Sequence, residues 1–334
     1  MTDYYAQVKL AIEATEFYSP AAYSCFGLQS GRLSRRVQNA MTPGTLRACL
    51  LSQLGTHLYA GFYVSGGAPA TLWGEDRANA VPGFVERLSA ANTGAGCWDA
   101  GWGVTTAEAG TARVCKRGLS LLVERESCRQ PDGGPIEAGA CVQLRMPKEL
   151  LGISPGYYFA LSDREDPSDD HSRQVRLYWN LRADGAAVFL RAATSLLNEA
   201  HLFFKLKVLN NASSYVRCDA GVLYVHKEDL AAVSVVLRPV YAEVGRYLKA
   251  GVPAFTKPLA PGVGLAEDPG QGESFGQNRC RLLAEGLIRA HEQRARSLDA
   301  RLQVVLDCYA AAGVRLERPY LNAGSADDYT FQTV

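Results

Sequence analysis

Apolar residues recur at helical spacing through the first 65 positions. Val8, Ala11 and Ile12 share one helix face, and Leu46, Leu50, Leu54 and Leu58 return every fourth residue after Pro43. This region reads as mainly helical. Phe62 and Tyr63 lead into Ser65-Gly66-Gly67-Ala68-Pro69, whose turn chemistry predicts a loop, and Pro82 to Leu88 predicts a short helix. Gly94 to Gly103, rich in Gly and Trp, reads as a loop or binding rim. From about residue 112 the period shortens to two. Leu119, Leu121 and Val123 alternate with smaller or polar residues, Cys141 to Met146 does the same, and Pro131 to Pro135 marks the turn between these two strands.

Tyr157 to Leu161 predicts a further strand, and the acidic, polar stretch Ser162 to Ser172 predicts a solvated, mobile loop. Strands are expected at Val175 to Leu181, Leu202 to Leu209 and Gly221 to His226, with a helix at Ala187 to Ala200 between the first two. Asp229 is placed to cap a helix that Pro239 kinks or divides and Gly251 ends. Helices at 274–294 and 296–313 follow, with Ser274 and Ser297 as caps, and the tail after Pro319 is expected to fray. The fold class is α+β. A mainly helical N-terminal region (1–108) is expected to pack on a mixed α+β core (109–318), followed by a tail (319–334).

Composition narrows the function classes. Of the 334 residues 47% are hydrophobic and 21% charged, as in globular proteins. The net charge of +1 leaves no global field to recruit nucleic acid or an anionic membrane surface, so any anion preference rests on a local cation cluster. The start, Met1 to Tyr5, lacks the basic and apolar segments of a secretory signal, and no apolar run approaches the ~20 residues of a membrane span. Nine scattered cysteines, none in a C-x-x-C arrangement, suggest reduced thiols and a cytoplasmic location rather than zinc or a disulfide framework. His57, His171, His201, His226 and His291 have no metal-ligand spacing, and Asp166, Asp169 and Asp170 do not fit a calcium loop. Neither glycine-rich stretch has the pattern of a nucleotide-binding loop.

Strand alternation supplies the candidate chemistry. It sends Arg176 and Tyr178 to one face of their strand, pairs Lys205 with Lys207 on another, and pairs Tyr215 with Arg217 on a third. If those faces align, four cations and two phenols converge, a grouping that a core does not tolerate without an anion. A solvated outer face is the alternative that the pattern alone leaves open.

Five blocks carry a family resemblance: V-R-L-Y-W-N-L (175–181), F-F-K-L-K-V-L-N (203–210), Y-V-R-C-D-A-G-V-L-Y-V (215–225), P-A-F-T-K-P-L-A-P-G-V-G-L-A-E-D (253–268) and S-F-G-Q-N-R-C-R-L-L-A-E (274–285). They resemble the HopA-type effector-like family over about Leu58 to Ala290. That family includes lyase components of class V lanthipeptide and thioviridamide-like biosynthesis, which act beside a kinase-like protein. More distantly, the core is similar to the phosphothreonine lyases OspF and SpvC. Where those enzymes carry K-x-H, K-x-K-V and a downstream arginine, this chain has Arg176-Leu177-Tyr178, Lys205-Leu206-Lys207-Val208 and Arg217.

The resemblance implies a phosphopeptide lyase that eliminates phosphate from phosphoserine or phosphothreonine of a ribosomally made precursor peptide, leaving a dehydroamino acid. Such chemistry needs a base for the Cα proton, an acid for the bridging oxygen and cations for the phosphate. It needs no cofactor and no metal. Lys207 is the implied base, its amine depressed toward ~7–8 by burial and like-charged neighbours. Tyr178 is the implied acid, although the effector lyases place histidine there. Arg176, Lys205 and Arg217 would bind phosphate, with Arg279 and Lys257 as further clamp candidates, and Tyr157 and Tyr158 would line the peptide groove. The N-terminal region would hold the peptide or a kinase-like partner, with no nucleic acid or membrane partner. Two alternatives stand beside the lyase: a non-catalytic phosphopeptide-binding scaffold for the kinase, and an effector-type lyase acting on host phosphoproteins. The lysine at 207 favours catalysis, since a phosphate reader gains more from arginine.

Overall fold

The computed structural model describes residues 2–19, 22–31, 34–67, 81–167, 173–270 and 272–331. His171, Asp169 and Asp170 lie outside them. Helix α1 (Tyr4–Glu13) leads into a small sheet of β1 (Thr15–Ser19), β2 (Ala22–Cys25) and β3 (Leu28–Gln29), then α2 (Arg35–Ala40) and α3 (Pro43–Leu58). A single π-turn, Tyr59–Tyr63, extends α3, and α4 (Phe84–Ala91) follows. A five-stranded sheet comes next: β4 (Cys97–Ala107), β5 (Thr111–Lys116), β6 (Leu119–Glu124), β7 (Cys128–Arg129) and β8 (Cys141–Met146). The rest of the chain builds β9 (Glu149–Leu151), β10 (Tyr157–Leu161), β11 (Gln174–Trp179), α5 (Ala186–Glu199), β12 (Lys205–Leu209), β13 (Gly221–His226), α6 (Leu230–Val244), β14 (Lys257–Ala260), β15 (Val263–Glu267), α7 (Phe275–Glu292) and α8 (Leu298–Ala311).

Seven of these strands form an antiparallel sheet in the order β14-β15-β11-β13-β12-β10-β9. Strand β11 lies inside it, and all six of its residues are buried. Its odd-numbered side chains face α5 and α6, where Trp179 packs on Phe189 with ring centroids 4.7 Å apart. Its even-numbered side chains face α7 and the π-turn. There Phe275 lies 6.5 Å from Tyr178 and 6.2 Å from Tyr63, centroid to centroid. Ser274 starts α7 with a reciprocal capping box, and Ser297 caps α8, as the sequence suggests.

Packing divides the chain differently from the expected break at 108. One core runs from Val8 and Leu54 in the N-terminal helices through Leu177 and Leu265 of the large sheet to Leu287 and Val305. Helix α1 packs on α8 and α3 on α7, so the N-terminal helices are part of the α+β body. A second, smaller core of Trp102, Val104, Val114, Val142 and Leu144 belongs to the five-stranded sheet. The Gly- and Trp-rich stretch enters that sheet as β4, because Trp102 and Val104 alternate inward.

Four further expectations change. The mainly helical region contains the β1–β3 sheet. The helix after Asp229 carries Pro239 within it and ends at Val244, before Gly251. The tail does not fray over its described length: Tyr320, Leu321 and Tyr329 are buried, and the Tyr329 hydroxyl donates to Glu267. The acidic loop is likewise pinned where it is described. Asp163 accepts the Ala95 and Gly96 N–H groups at 2.6 and 2.8 Å, and Asp166 reaches both Lys205 and His226.

Gly276 fixes how closely the π-turn meets α7. A Cβ there would lie 2.3 Å from a Tyr63 ring carbon and 2.7 Å from one of Tyr59. Gly276→Ala is therefore expected to cost about 1–3 kcal/mol of stability, read from the denaturant midpoint.

Candidate active site

Register builds the site from three neighbouring strands. Arg176 on β11 stands opposite Tyr224 on β13, which stands opposite Lys205 on β12. One step along, Tyr178 faces Val222, and Val222 faces Lys207. Cross-strand partners point to the same face, so Arg176, Tyr178, Lys205 and Lys207 share one surface, with Phe159 and Tyr157 of β10 beside them. The alignment of the two cation-bearing strands that the sequence required is present.

Aromatic rings fill the space between the charges. The Lys207 amine lies 4.3 Å from the Tyr157 ring centroid and 5.6 Å from that of Tyr224. The Arg176 guanidinium is 5.2 Å from the Tyr224 ring and that of Arg217 is 5.8 Å from the Tyr157 ring. Lys207 thus stands between two arginines, each across a phenol ring. Among the described residues its amine has no hydrogen bond and no ion pair.

The arginines carry carboxylates. Arg176 donates from Nε and Nη2 to Asp268, at 2.9 and 2.6 Å. Arg217 grips Asp219 with both oxygens at 2.7–2.8 Å. Asp219 also accepts from the Tyr59 hydroxyl at 3.0 Å and the Tyr157 hydroxyl at 3.3 Å. Burial pushes the Asp219 carboxyl up, but the Arg217 guanidinium, its hydrogen bonds, Lys207 and Tyr59 outweigh burial and hold it below the usual carboxylate range. Burial and Asp219 together push the Tyr59 and Tyr157 phenols well up, so both remain donors.

Several sequence-derived roles change. Tyr215 and Arg217 are not a strand pair. Tyr215 lies in a 3₁₀ turn, Ala212–Val216, and donates its hydroxyl to Leu209 O, while Arg217 follows that turn and reaches the site from its end. Tyr178 is enclosed at 3% exposure beneath Phe275, its hydroxyl beside that of Tyr63; burial drives its phenol up, partly offset by Arg176. It is more enclosed than Lys207 and Tyr224 of the same face, which does not suit the acid role. Tyr158 points to the other face from Tyr157 and bonds Asn92 and Glu149 instead of lining a groove.

The two weaker clamp candidates are structural. Lys257 stands opposite Leu265, hence on the sheet face away from Arg176, and holds Asp327 at 2.6 Å and the Tyr329 carbonyl at 2.8 Å. Arg279 is buried on α7, donates to the Pro319 and Leu321 carbonyls at 2.6 and 3.0 Å, and burial brings it down to about 10. Both anchor the C-terminal segment. Lys257→Ala is expected to cost about 1–2 kcal/mol and speed proteolysis beyond Tyr320, without altering chemistry at Lys207. Lys205 shares the site face, but its amine pairs with Asp166 at 3.0 Å, at the rim.

Tyr224, Phe159, Asp219, Asp268 and Tyr59 were missed by the sequence reading. Alternation within Gly221 to His226 was the available signal for Tyr224, since a strand between β11 and β12 must contribute to their shared face. Asp219 lies two residues after Arg217. Nothing local points to Asp268 or Tyr59, which arrive from 92 residues away along the chain for the one and 158 for the other.

The fold and site define an α+β protein with a cationic, phenol-lined sheet face. The model of the HopA1 effector protein family matches residues 146–321, and the chain belongs to that family. Two solved structures are similar in outline. An effector protein from Pseudomonas syringae pv. tomato strain DC3000 is 18% identical, with 82% of this chain and 95% of that chain covered and a TM-score of 0.46. One from Pseudomonas syringae pv. syringae strain 61 is 15% identical, with 80% and 88% covered and a TM-score of 0.45. No curated protein matches the chain. Among the described residues no helix is long and apolar enough to cross a membrane, and no group of three or more His, Cys, Asp or Glu is placed to hold a metal.

Proposed function

We propose that this protein is a phosphopeptide lyase. The Lys207 amine takes the Cα proton of a phosphorylated serine or threonine, the Cβ–O bond breaks, and phosphate leaves as the double bond forms. A phenol of the same face gives the bridging oxygen its proton. The substrate is a ribosomally made precursor peptide phosphorylated by a kinase-like partner. The observation that carries this reading is the placement of Lys207, without a hydrogen-bonding or ionic partner, between Arg176 and Arg217 on one surface. Guanidinium groups match phosphate oxygens in pairs, and cations aimed at the leaving group stabilise the charge that develops there.

Both arginines already hold a carboxylate, so phosphate has to compete with Asp268 and Asp219 in the lyase and the scaffold alike. The test mixes purified full chain with phosphothreonine and phosphoserine peptides and follows peptide mass and free phosphate. Loss of phosphoric acid supports the lyase. Bound but unchanged phosphopeptide supports the scaffold, and recovery of plain threonine means a phosphatase. Running the precursor peptide against phosphorylated host signalling peptides separates the biosynthetic from the effector-type substrate.

A further inference from the structure

We infer that Tyr224 is the general acid of this site, an assignment that rests on the lyase reading and replaces Tyr178 with the neighbouring phenol. Four phenols surround the two arginines and Lys207; two have their hydroxyls bonded within the protein, and a third is enclosed. Those of Tyr59 and Tyr157 bond Asp219, and that of Tyr178 is enclosed against Tyr63. Tyr224 is partly exposed, and its hydroxyl has no hydrogen bond among the described residues. Its ring stands between Arg176 and Lys207, with a third contact to Phe159 at 6.2 Å.

This position completes a proton circuit. Lys207 gains the Cα proton, and the electron pair of the Cα–H bond becomes the Cα–Cβ double bond. The Cβ–O pair goes to the phosphate oxygen, which takes the Tyr224 proton. The resulting phenolate faces the Arg176 guanidinium, which stabilises it. It recovers its proton from the Lys207 ammonium, directly or through one water, and the site returns to its starting charge. Arg176 therefore serves both the phosphate and the acid, which explains a buried guanidinium laid over a phenol ring beside the base.

Tyr224→Phe isolates the hydroxyl, because phenylalanine keeps the ring that both cations touch and no bond within the protein is lost. With phosphothreonine peptide, kcat is expected to fall by about 10²-fold or more, with KM within about threefold. Tyr178→Phe is expected to retain its rate within about threefold. A role in packing alone would show as altered melting, whereas loss of the acid lowers kcat while KM and melting hold. Unchanged melting of Tyr224→Phe guards against misfolding. Phosphate release by Tyr224→Phe at the wild-type rate, or by Tyr178→Phe only at a much reduced one, overturns the assignment while leaving the lyase intact. Failure of the wild-type chain to release phosphate from any phosphopeptide overturns both.

Discussion

Lys207→Ala is expected to lower kcat for phosphate release by about 10²–10⁴-fold, while the protein still folds. The fold survives because the amine bonds nothing: its contacts are two ring faces, and the strand around it is held by backbone pairing to β10 and β13. Lys207→Arg sharpens the test. It restores the positive charge and the ring contacts, but a guanidinium stays protonated and cannot accept the Cα proton. Phosphopeptide should then bind to the arginine variant and remain unreacted, as measured by calorimetry and mass. Turnover by Lys207→Arg at the wild-type rate would show that charge, not basicity, is what position 207 supplies.

The second large effect concerns Asp219, which is buried and collects Arg217, Tyr59 and Tyr157. Removing one partner of a buried ion pair leaves the other charge without compensation, so Asp219→Ala is expected to cost about 3–5 kcal/mol in chemical denaturation. The pH dependence has a definite sign. The folded carboxyl titrates below its unfolded value, so its contribution is fully present above the ordinary carboxylate range of about 4 and is lost as pH falls through the folded value. The stability gap between the wild-type chain and Asp219→Asn should accordingly be wide at neutral pH and narrow in acid. A gap that widened on acidification would mean the carboxyl is held neutral in the fold.

Much of the secondary structure was legible because local rules decide it. The period-two run Gly221 to His226 and the capped helix behind Ser274 needed no tertiary information. Alternation also fixed which side chains of β11 and β12 share a face. What it could not supply was the strand between them, so Tyr224 went unseen. Arg217 reached the site for a different reason from the expected one: Asn211 caps a 3₁₀ turn through the Ser213 N–H, and the chain then swings the arginine inward. The carboxylates were hidden because an acidic residue on a loop has no periodicity, and only the folded chain reveals that Asp268 and Asp166 neutralise strand cations. Tyr59 was hidden by distance, since it stands in the N-terminal helices that the sequence assigned to a separate function.

The five-stranded sheet leaves the chain between Gly96 and Pro147, and its first and last residues, Cys97 and Met146, are direct strand partners. Entry and exit therefore stand side by side, where Arg145 also donates to the Ala95 and Gly96 carbonyls. Fifty residues can be threaded in at this doorway with no gap for the host to bridge, since the insert joins its own ends and bears the loop-closure entropy itself. Its strands pair within their own sheet, so the register that holds the neighbouring cations is set without them.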